Sequence, residues 1–234
     1  MNSKCLLPIR SVVFILAFVL GALVTGKAVA DISNWWSVMA SIINVFTIVM
    51  LVVIARKNGM TYKELINLKK GQTGVKHIGI IVLMVVVGMA GLYLAGFICY
   101  GVLPYSPPKV VEPIPLVLAI LNLVLLPITT ALAEDGLYLG LGVNHIKNKY
   151  LAVIVPAFFY AFQHCFIPVL WDVRYMVYRF ISFLPLTVMF CIYYYKKRNP
   201  LPCMIAHVIL DLATAVTILS MSAVPGLYEQ LCNM

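Results

Sequence analysis

Three polar clusters interrupt otherwise apolar stretches of this chain. They are Glu134 with Asp135, His164, and His207 with Asp211. An ionisable side chain is costly to bury in a membrane, so each cluster is a candidate functional site. Carboxylates and imidazoles are side chains that commonly transfer protons in catalysis. Their combination predicts a site that activates water, and the chemistry that we expect is hydrolysis of a peptide bond near a membrane.

The composition of the chain determines which elements position these clusters. Of 234 residues, 63% are hydrophobic and 11% are charged, whereas soluble domains average about 45–50% apolar and about 25% charged residues. This excludes a soluble domain and predicts an all-α, polytopic membrane protein with one membrane-embedded domain over residues 1–234. The net charge of +9 comes from basic residues scattered in short loops. It therefore indicates contacts with anionic lipid headgroups rather than with nucleic acid.

Seven apolar segments are long enough to cross a bilayer, which takes roughly 17–25 residues in a helix. An eighth helix or a re-entrant segment remains the alternative. The three polar clusters all fall in the half formed by residues 115–223, which we expect to carry the chemistry. The predicted spans cover residues 11–30, 35–55, 77–103, 115–140, 151–171, 177–195 and 200–223.

Lysine and arginine residues are concentrated in alternate loops. Because cytoplasmic loops carry the excess of Lys and Arg, this pattern predicts a cytoplasmic N-terminus and a C-terminus on the opposite side. Fewer basic residues lie in the other loops, to which we assign Arg174 and Arg179. The predicted cytoplasmic side carries Lys4, Arg10, Arg56, Lys57, Lys63, Lys69, Lys70, Lys76, Lys147, Lys149, Lys196, Lys197 and Arg198.

Helical geometry predicts that the clusters share one cavity open to the cytoplasm. At about 1.5 Å per residue, Glu134 lies about 9 Å deep, His207 about 10–12 Å and His164 about 16–20 Å. His207 and Asp211 are four residues apart and share a helix face. Glu134 and Asp135 point about 100° apart. Only one of the two can therefore face the cavity squarely, and we expect the other to brace it or a neighbouring helix.

Each cluster also has a purely structural interpretation. An intramembrane histidine such as His164 can serve as a hydrogen-bond partner between helices. The acidic pair can lie at the membrane interface, and His207 with Asp211 can form an internal brace. The joint occurrence of all three favours a functional site. The six cysteines show no C-x-x-C spacing and are interpreted as packing residues; they are Cys5, Cys99, Cys165, Cys191, Cys203 and Cys232.

Two local signals concern the ends and bends of helices. Thr61 followed by Glu64 three residues later predicts the N-cap of a short interfacial helix before the third span. Pro127 lies inside the fourth span and predicts a kink just before the acidic pair, because proline cannot donate the helical hydrogen bond.

In order, the polar segments resemble the motifs of the CPBP (Abi) family of intramembrane proteases, which includes the type II CAAX prenyl endopeptidases. The stretch from Glu134 to Gly140 (EDGLYLG) is similar to the family's E-E-x-x-x-R-G motif. Tyr160 to His164 is similar to F-x-x-x-H, and His207 with Asp211 to H-x-x-x-N/D. The resemblance covers about the last 110 residues well and the first half in topology only.

The resemblance implies a role for each motif residue. Glu134 and His164 would activate the water that attacks the peptide carbonyl. His207 and Asp211 would stabilise the oxyanion, Asp211 by orienting His207, because an ionised carboxylate cannot donate a hydrogen bond. Asp135 and Tyr160 would be supporting residues. The implied substrate is a membrane-associated peptide or protein.

Two departures from the family pattern, and the question of a metal, stay open at the sequence level. Asp135 replaces the usual second glutamate, and Leu139 stands where the family usually has arginine, which puts full activity in doubt. Glu134, His164 and His207 could ligate a divalent metal such as zinc. The chain has no H-E-x-x-H helix, and a metal-free mechanism is equally compatible with these residues.

Two rival functions follow from the same residues. The first is a non-catalytic bacteriocin-immunity or regulatory membrane protein that keeps the fold and binds a partner, and Leu139 is the residue that favours it. The second is a small proton-coupled transporter that uses the same histidines and carboxylates. The lack of a visible internal repeat argues against the transporter.

Overall fold

The computed structural model describes residues 6–103 and 105–233. Lys4 and Cys5, which entered the charge and cysteine predictions, lie outside these ranges. Within them the chain forms α-helices and no strand. The α-helices are α1 (Ile9–Thr25), α2 (Val29–Ile32), α3 (Trp36–Lys57), α4 (Tyr62–Leu65), α5 (Ile78–Tyr100), α6 (Pro108–Val111), α7 (Leu116–Thr130), α8 (Leu151–Phe162), α9 (Val173–Lys197), α10 (Leu201–Ala223) and α11 (Leu227–Cys232).

The helix lengths agree with a polytopic membrane bundle. In the described ranges, five helical segments are long and apolar enough to cross a membrane, and two shorter apolar helices, Ile9–Thr25 and Leu151–Phe166, accompany them. The seven correspond to the seven predicted spans, so the all-α membrane fold is confirmed. The five long segments are Val29–Lys57, Val75–Tyr100, Leu116–Val143, Val173–Lys197 and Leu201–Ala223.

Several predicted helix boundaries were wrong, and capping explains two of them. The first span was extended to residue 30, but α1 ends at Thr25, because Gly26 adopts a left-handed conformation with φ of 68°. The sixth span was begun at residue 177, but α9 begins at Val173, where the side chain of Asp172 accepts a hydrogen bond from the Arg174 backbone N–H.

The helices of the second half pack around one another and carry apolar outer faces. Helix α9 contacts α5 and α8, and α10 contacts α7 and α5. Large apolar side chains such as Val24, Phe46 and Val117 are exposed on the outside of the bundle. Such a surface indicates a lipid environment, because in water it would be a large exposed apolar patch.

Helix α7 changes its hydrogen-bonding pattern before the acidic pair. From Ala131 to Val143 the chain continues as a π-helix, here called the π segment. Pro127 lies inside α7, four residues before this change, and the helix continues through it. Every residue of the π segment except Leu132 is buried. Such wide turns are rare and frequently occur at functional sites.

The short helix α4 lies against the π segment. Its predicted N-terminus is confirmed, because Thr61 and Glu64 form a reciprocal capping box. Hydrogen bonds from the backbone and then the hydroxyl of Thr61 lower the pKa of the exposed Glu64 carboxyl. The Tyr62 hydroxyl donates to the carbonyl of Leu132. At Gly136 a Cβ atom would lie 2.7 Å from the Tyr62 hydroxyl, so a residue without a side chain permits this contact.

Candidate active site

The structure brings the three sequence clusters together. Oε2 of Glu134, on the π segment, lies 3.9 Å from Nε2 of His164 and 3.9 Å from Nε2 of His207. His164 lies on the 3₁₀ turn Gln163–Phe166 that follows α8, and His207 lies on α10. The three residues are at most 6% exposed. One carboxylate oxygen therefore faces two imidazole nitrogens in a buried polar cluster.

The hydrogen bonds of His164 define its tautomer. Nδ1 lies 2.9 Å from the carbonyl oxygen of Tyr160, and because a carbonyl can only accept, Nδ1 carries the proton. The Nε2 atom of the neutral ring then has a free lone pair on the side of Glu134. Phe183 of α9 stacks on the ring with centroids 3.6 Å apart, which holds its plane.

His207 belongs to a chain of hydrogen bonds that ends at Asp135. The Tyr160 hydroxyl donates to Oδ1 of Asp135 over 2.9 Å. The same hydroxyl lies 2.9 Å from Nδ1 of His207. Since its own proton is donated to the carboxylate, the hydroxyl oxygen accepts a hydrogen bond from Nδ1–H of His207. The Nε2 atom of His207 can donate as well only when the ring is doubly protonated.

The two carboxylates beside His207 lie next to different nitrogens of its ring. Asp135, the expected bracing residue, has its Oδ2 3.6 Å from Nδ1 of His207. Asp211 was expected to orient this ring, but its Oδ2 lies 3.7 Å from Nε2 and has no hydrogen-bond partner among the described residues. Tyr160 and Asp135 therefore orient His207, and Asp211 lies beside the nitrogen that faces the site.

Arg10 is a site residue that the sequence analysis missed. It was assigned to the segment before the first span, but it lies inside α1 and is only 1% exposed. Its Nη2 atom lies 2.9 Å from Oε1 of Glu134 and 2.8 Å from Oδ1 of Asn44. Asn44 and Thr47 on the apolar helix α3 could have indicated a buried polar partner such as Arg10, because polar side chains within a membrane span form hydrogen bonds with neighbouring helices.

Arg179 was also misplaced by the sequence analysis. It was counted with the loop charges although the predicted span 177–195 contains it, and in the structure it lies within α9 and is buried. Its guanidinium group lies over the ring of Phe183, 4.8 Å from the centroid, and its Nε atom donates to the carbonyl of His164 over 3.4 Å. Both arginines were misassigned because a charge count along the chain cannot tell a loop from a buried helix end.

The residues that were considered as metal ligands do not form a preorganised metal centre. Zinc binds imidazole nitrogen and carboxylate oxygen at about 2.0–2.2 Å, mostly with four ligands. Oε1 of Glu134 is already paired with Arg10. In residues 6–103 and 105–233, no group of three or more His, Cys, Asp or Glu side chains could hold a metal ion. We therefore derive no step through a metal.

Comparison with known families agrees with the motif resemblance. Residues 116–213 match the family model described as Type II CAAX prenyl endopeptidase Rce1-like. Over these residues the chain is similar to that family, and this stretch is called the CPBP match below. The match contains all three polar clusters, whereas Arg10, Asn44 and Thr47 lie outside it. Comparison with curated proteins and with solved structures finds no match.

The CPBP match sets the general class of the protein. With its apolar helices it indicates a multi-pass membrane protein of the CAAX-protease type. Its motif region departs from the family pattern at Leu139, whose side chain is fully buried in an apolar cluster with residues such as Leu7 and Leu51. The charge beside Glu134 comes instead from Arg10, on a helix outside the matched region.

Proposed function

We propose that this protein is a membrane endopeptidase that cleaves a membrane-associated peptide or protein from the cytoplasmic side. The observation that carries the proposal is the position of Oε2 of Glu134. It has no hydrogen-bond partner among the described residues and lies 3.9 Å from the Nε2 atoms of both His164 and His207. Polar groups at such a separation are commonly bridged by a water molecule. A water held there would contact a carboxylate base and two imidazoles.

The reaction begins with proton transfer from water. Glu134, assisted by the Nε2 lone pair of His164, accepts the proton as the water oxygen bonds to the carbonyl carbon of the substrate. The carbonyl π electrons move to oxygen and form an oxyanion. The same proton is then delivered to the leaving nitrogen, the C–N bond breaks, and a carboxylic acid and an amine result. General acid–base catalysis of this kind typically contributes about 10²–10⁴-fold in rate.

His207 stabilises the oxyanion in this mechanism. Because Nδ1–H is donated to Tyr160, the ring donates from Nε2 as an imidazolium. Asp135 and Asp211 lie 3.6 Å and 3.7 Å from its two nitrogens, so their charge balances that of the ring. Loss of one oxyanion donor typically costs about 2.7–4 kcal/mol of transition-state stabilisation.

The second candidate is a non-catalytic immunity or regulatory protein with the same fold. The sequence feature that favours it is Leu139 in place of the motif arginine. The ion pair between Arg10 and Glu134 weakens this reading, because a buried cation contacts the acidic residue despite Leu139.

The proposal is tested by cleavage of a panel of membrane-anchored peptides by the purified protein in liposomes. We expect Glu134→Gln, His164→Ala and His207→Ala each to lose about 10²–10⁴ of the wild-type rate, with near-normal protein levels. Asp135→Asn should be milder, because the amide oxygen can still accept from Tyr160.

Glu112→Gln provides the matched control. Glu112 pairs with Lys109 at 2.7 Å outside the cluster, so the same chemical change there should leave cleavage unaltered. Full activity in all three site variants would refute the catalytic function and favour the binding function.

A further inference from the structure

We propose that Arg10 is a positioning residue that keeps Glu134 ionised and leaves only one of its carboxylate oxygens facing the histidines. The catalytic meaning of this inference rests on the proposed function, but the ion pair can be tested without any substrate. It makes helix α1, which lies outside the CPBP match, a necessary part of the site.

Arg10 uses each of its three nitrogen atoms. Nη2 donates to Glu134 and Asn44, Nη1 donates to Oγ1 of Thr47 over 2.9 Å, and Nε donates to Oε1 of Gln163 over 2.8 Å. The acceptors come from α3, from the 3₁₀ turn beside His164 and from the π segment. A buried charge is tolerated only when it is paired and hydrogen-bonded in this way. The guanidinium group therefore joins three elements at the base of the site.

The acceptors around Arg10 are themselves held in place. The side-chain amide of Asn44 donates to Oγ1 of Thr130 over 2.9 Å, and the Thr47 hydroxyl donates to the carbonyl of Ile43 over 2.7 Å. Because these hydrogen bonds fix the guanidinium plane, Oε1 of Glu134 is held in one direction. The other oxygen then faces the two histidines.

The charges around Glu134 indicate why a permanent cation is needed there. The titratable groups beside it are His164 on the 3₁₀ turn, His207 and Asp211 on α10, and the adjacent Asp135. Two buried carboxylates and the partly exposed Asp211 thus lie together with two histidines, and like charges that are close together disfavour ionisation. Within the described residues, Arg10 is the arginine or lysine that forms an ion pair with Glu134.

A hydrophobic carbodiimide supplies the test, since it adds to protonated carboxylic acids but not to carboxylates. The full-length protein in liposomes is treated at pH 7 with dicyclohexylcarbodiimide, and the Glu134 adduct is quantified by mass spectrometry. A neighbouring opposite charge changes the protonated fraction of a carboxyl by about 10–1,000-fold. We therefore expect little adduct in the wild type and at least about 10-fold more in Arg10→Gln, which keeps hydrogen-bonding groups near Asn44 but removes the charge.

Three controls separate charge from structure. Arg10→Lys keeps the charge with fewer donors, so labelling should stay low while cleavage, if the proposed function holds, falls. Arg179→Gln removes a different buried arginine and should not raise the Glu134 adduct. Glu134→Gln should abolish the adduct.

Two outcomes would overturn the inference. If Glu134 is labelled equally in the wild type and in Arg10→Gln, whether strongly or not at all, Arg10 does not control the ionisation of the Glu134 carboxylate. Ready labelling of Glu134 in the wild type alone leads to the same conclusion and needs no variant to fold. If Arg10→Gln raises labelling but the wild type cleaves no peptide, the ion pair stands and the proposed function fails.

Discussion

At the scale of single residues, the position of a positive charge distinguishes this site from the family pattern. Leu139 is fully buried in the apolar cluster of the π segment, while Arg10 provides the charge from α1. A guanidinium group at position 139 would replace a buried apolar side chain of that cluster. Burying an unpaired charge costs several kcal/mol.

We therefore expect Leu139→Arg to lower the melting temperature in detergent and the yield of folded protein. Leu139→Met is the matched control, since volume-conserving apolar changes usually cost less than about 1.5 kcal/mol. An unchanged melting temperature together with full activity in Leu139→Arg would mean that residue 139 reaches a polar part of the site.

At the scale of elements, the π segment is positioned by close contacts that small residues allow. A Cβ atom on Gly136 would lie 2.7 Å from the Tyr62 hydroxyl of α4 and 2.8 Å from a methyl carbon of Leu51 on α3. Leu51 is fully buried and cannot move away freely. Because Glu134 and Asp135 directly precede this glycine, a shift here would displace both carboxylates.

Gly136→Ala should consequently destabilise the protein by about 1–3 kcal/mol, the usual cost of overpacking, and should reduce cleavage more than its effect on stability explains. Thermal unfolding in detergent and cleavage at a temperature where the variant is folded measure the two effects. Gly79→Ala on α5 is the control, because a Cβ there meets nothing within 4 Å. Equal behaviour of the two variants would contradict the role given to this contact.

At the scale of the whole molecule, the two halves of the chain meet at one site. Residues 116–213 match the family, but the Arg10–Glu134 ion pair joins residues 124 positions apart. The first half therefore contributes to the site and is more than a membrane anchor.

The orientation of this assembly stays a prediction from the loop charges. Reporter fusions at Gly71 and at the C-terminus should report opposite sides of the membrane, with Gly71 cytoplasmic, because basic residues flank it on both sides. Activity of both reporters on the same side would refute this topology, and with it the cytoplasmic opening of the proposed site.

Composition and residue types alone predict the class of the protein and the residues at the centre of its candidate site. High apolar content and the length of the apolar segments predict a helical membrane bundle, because a bilayer requires every backbone polar group to be satisfied within helices. Glu134, His164 and His207 could be recognised because an ionisable residue in an apolar segment is costly to bury in a membrane and therefore indicates a functional site. The capping box at Thr61 could be predicted because it is a local interaction.

How these residues are paired follows from the packing of the helices. Arg10 lies next to the N-terminal end of α1, where its sequence neighbours do not distinguish it from a basic residue in a loop. Its ion pair with Glu134 depends on how α1, α3 and the π segment pack. The assignment of Asp135 rather than Asp211 to orient His207 likewise depends on Tyr160, which comes from another helix. Side-chain contacts between distant segments follow from packing in three dimensions, and no local spacing in the sequence specifies them.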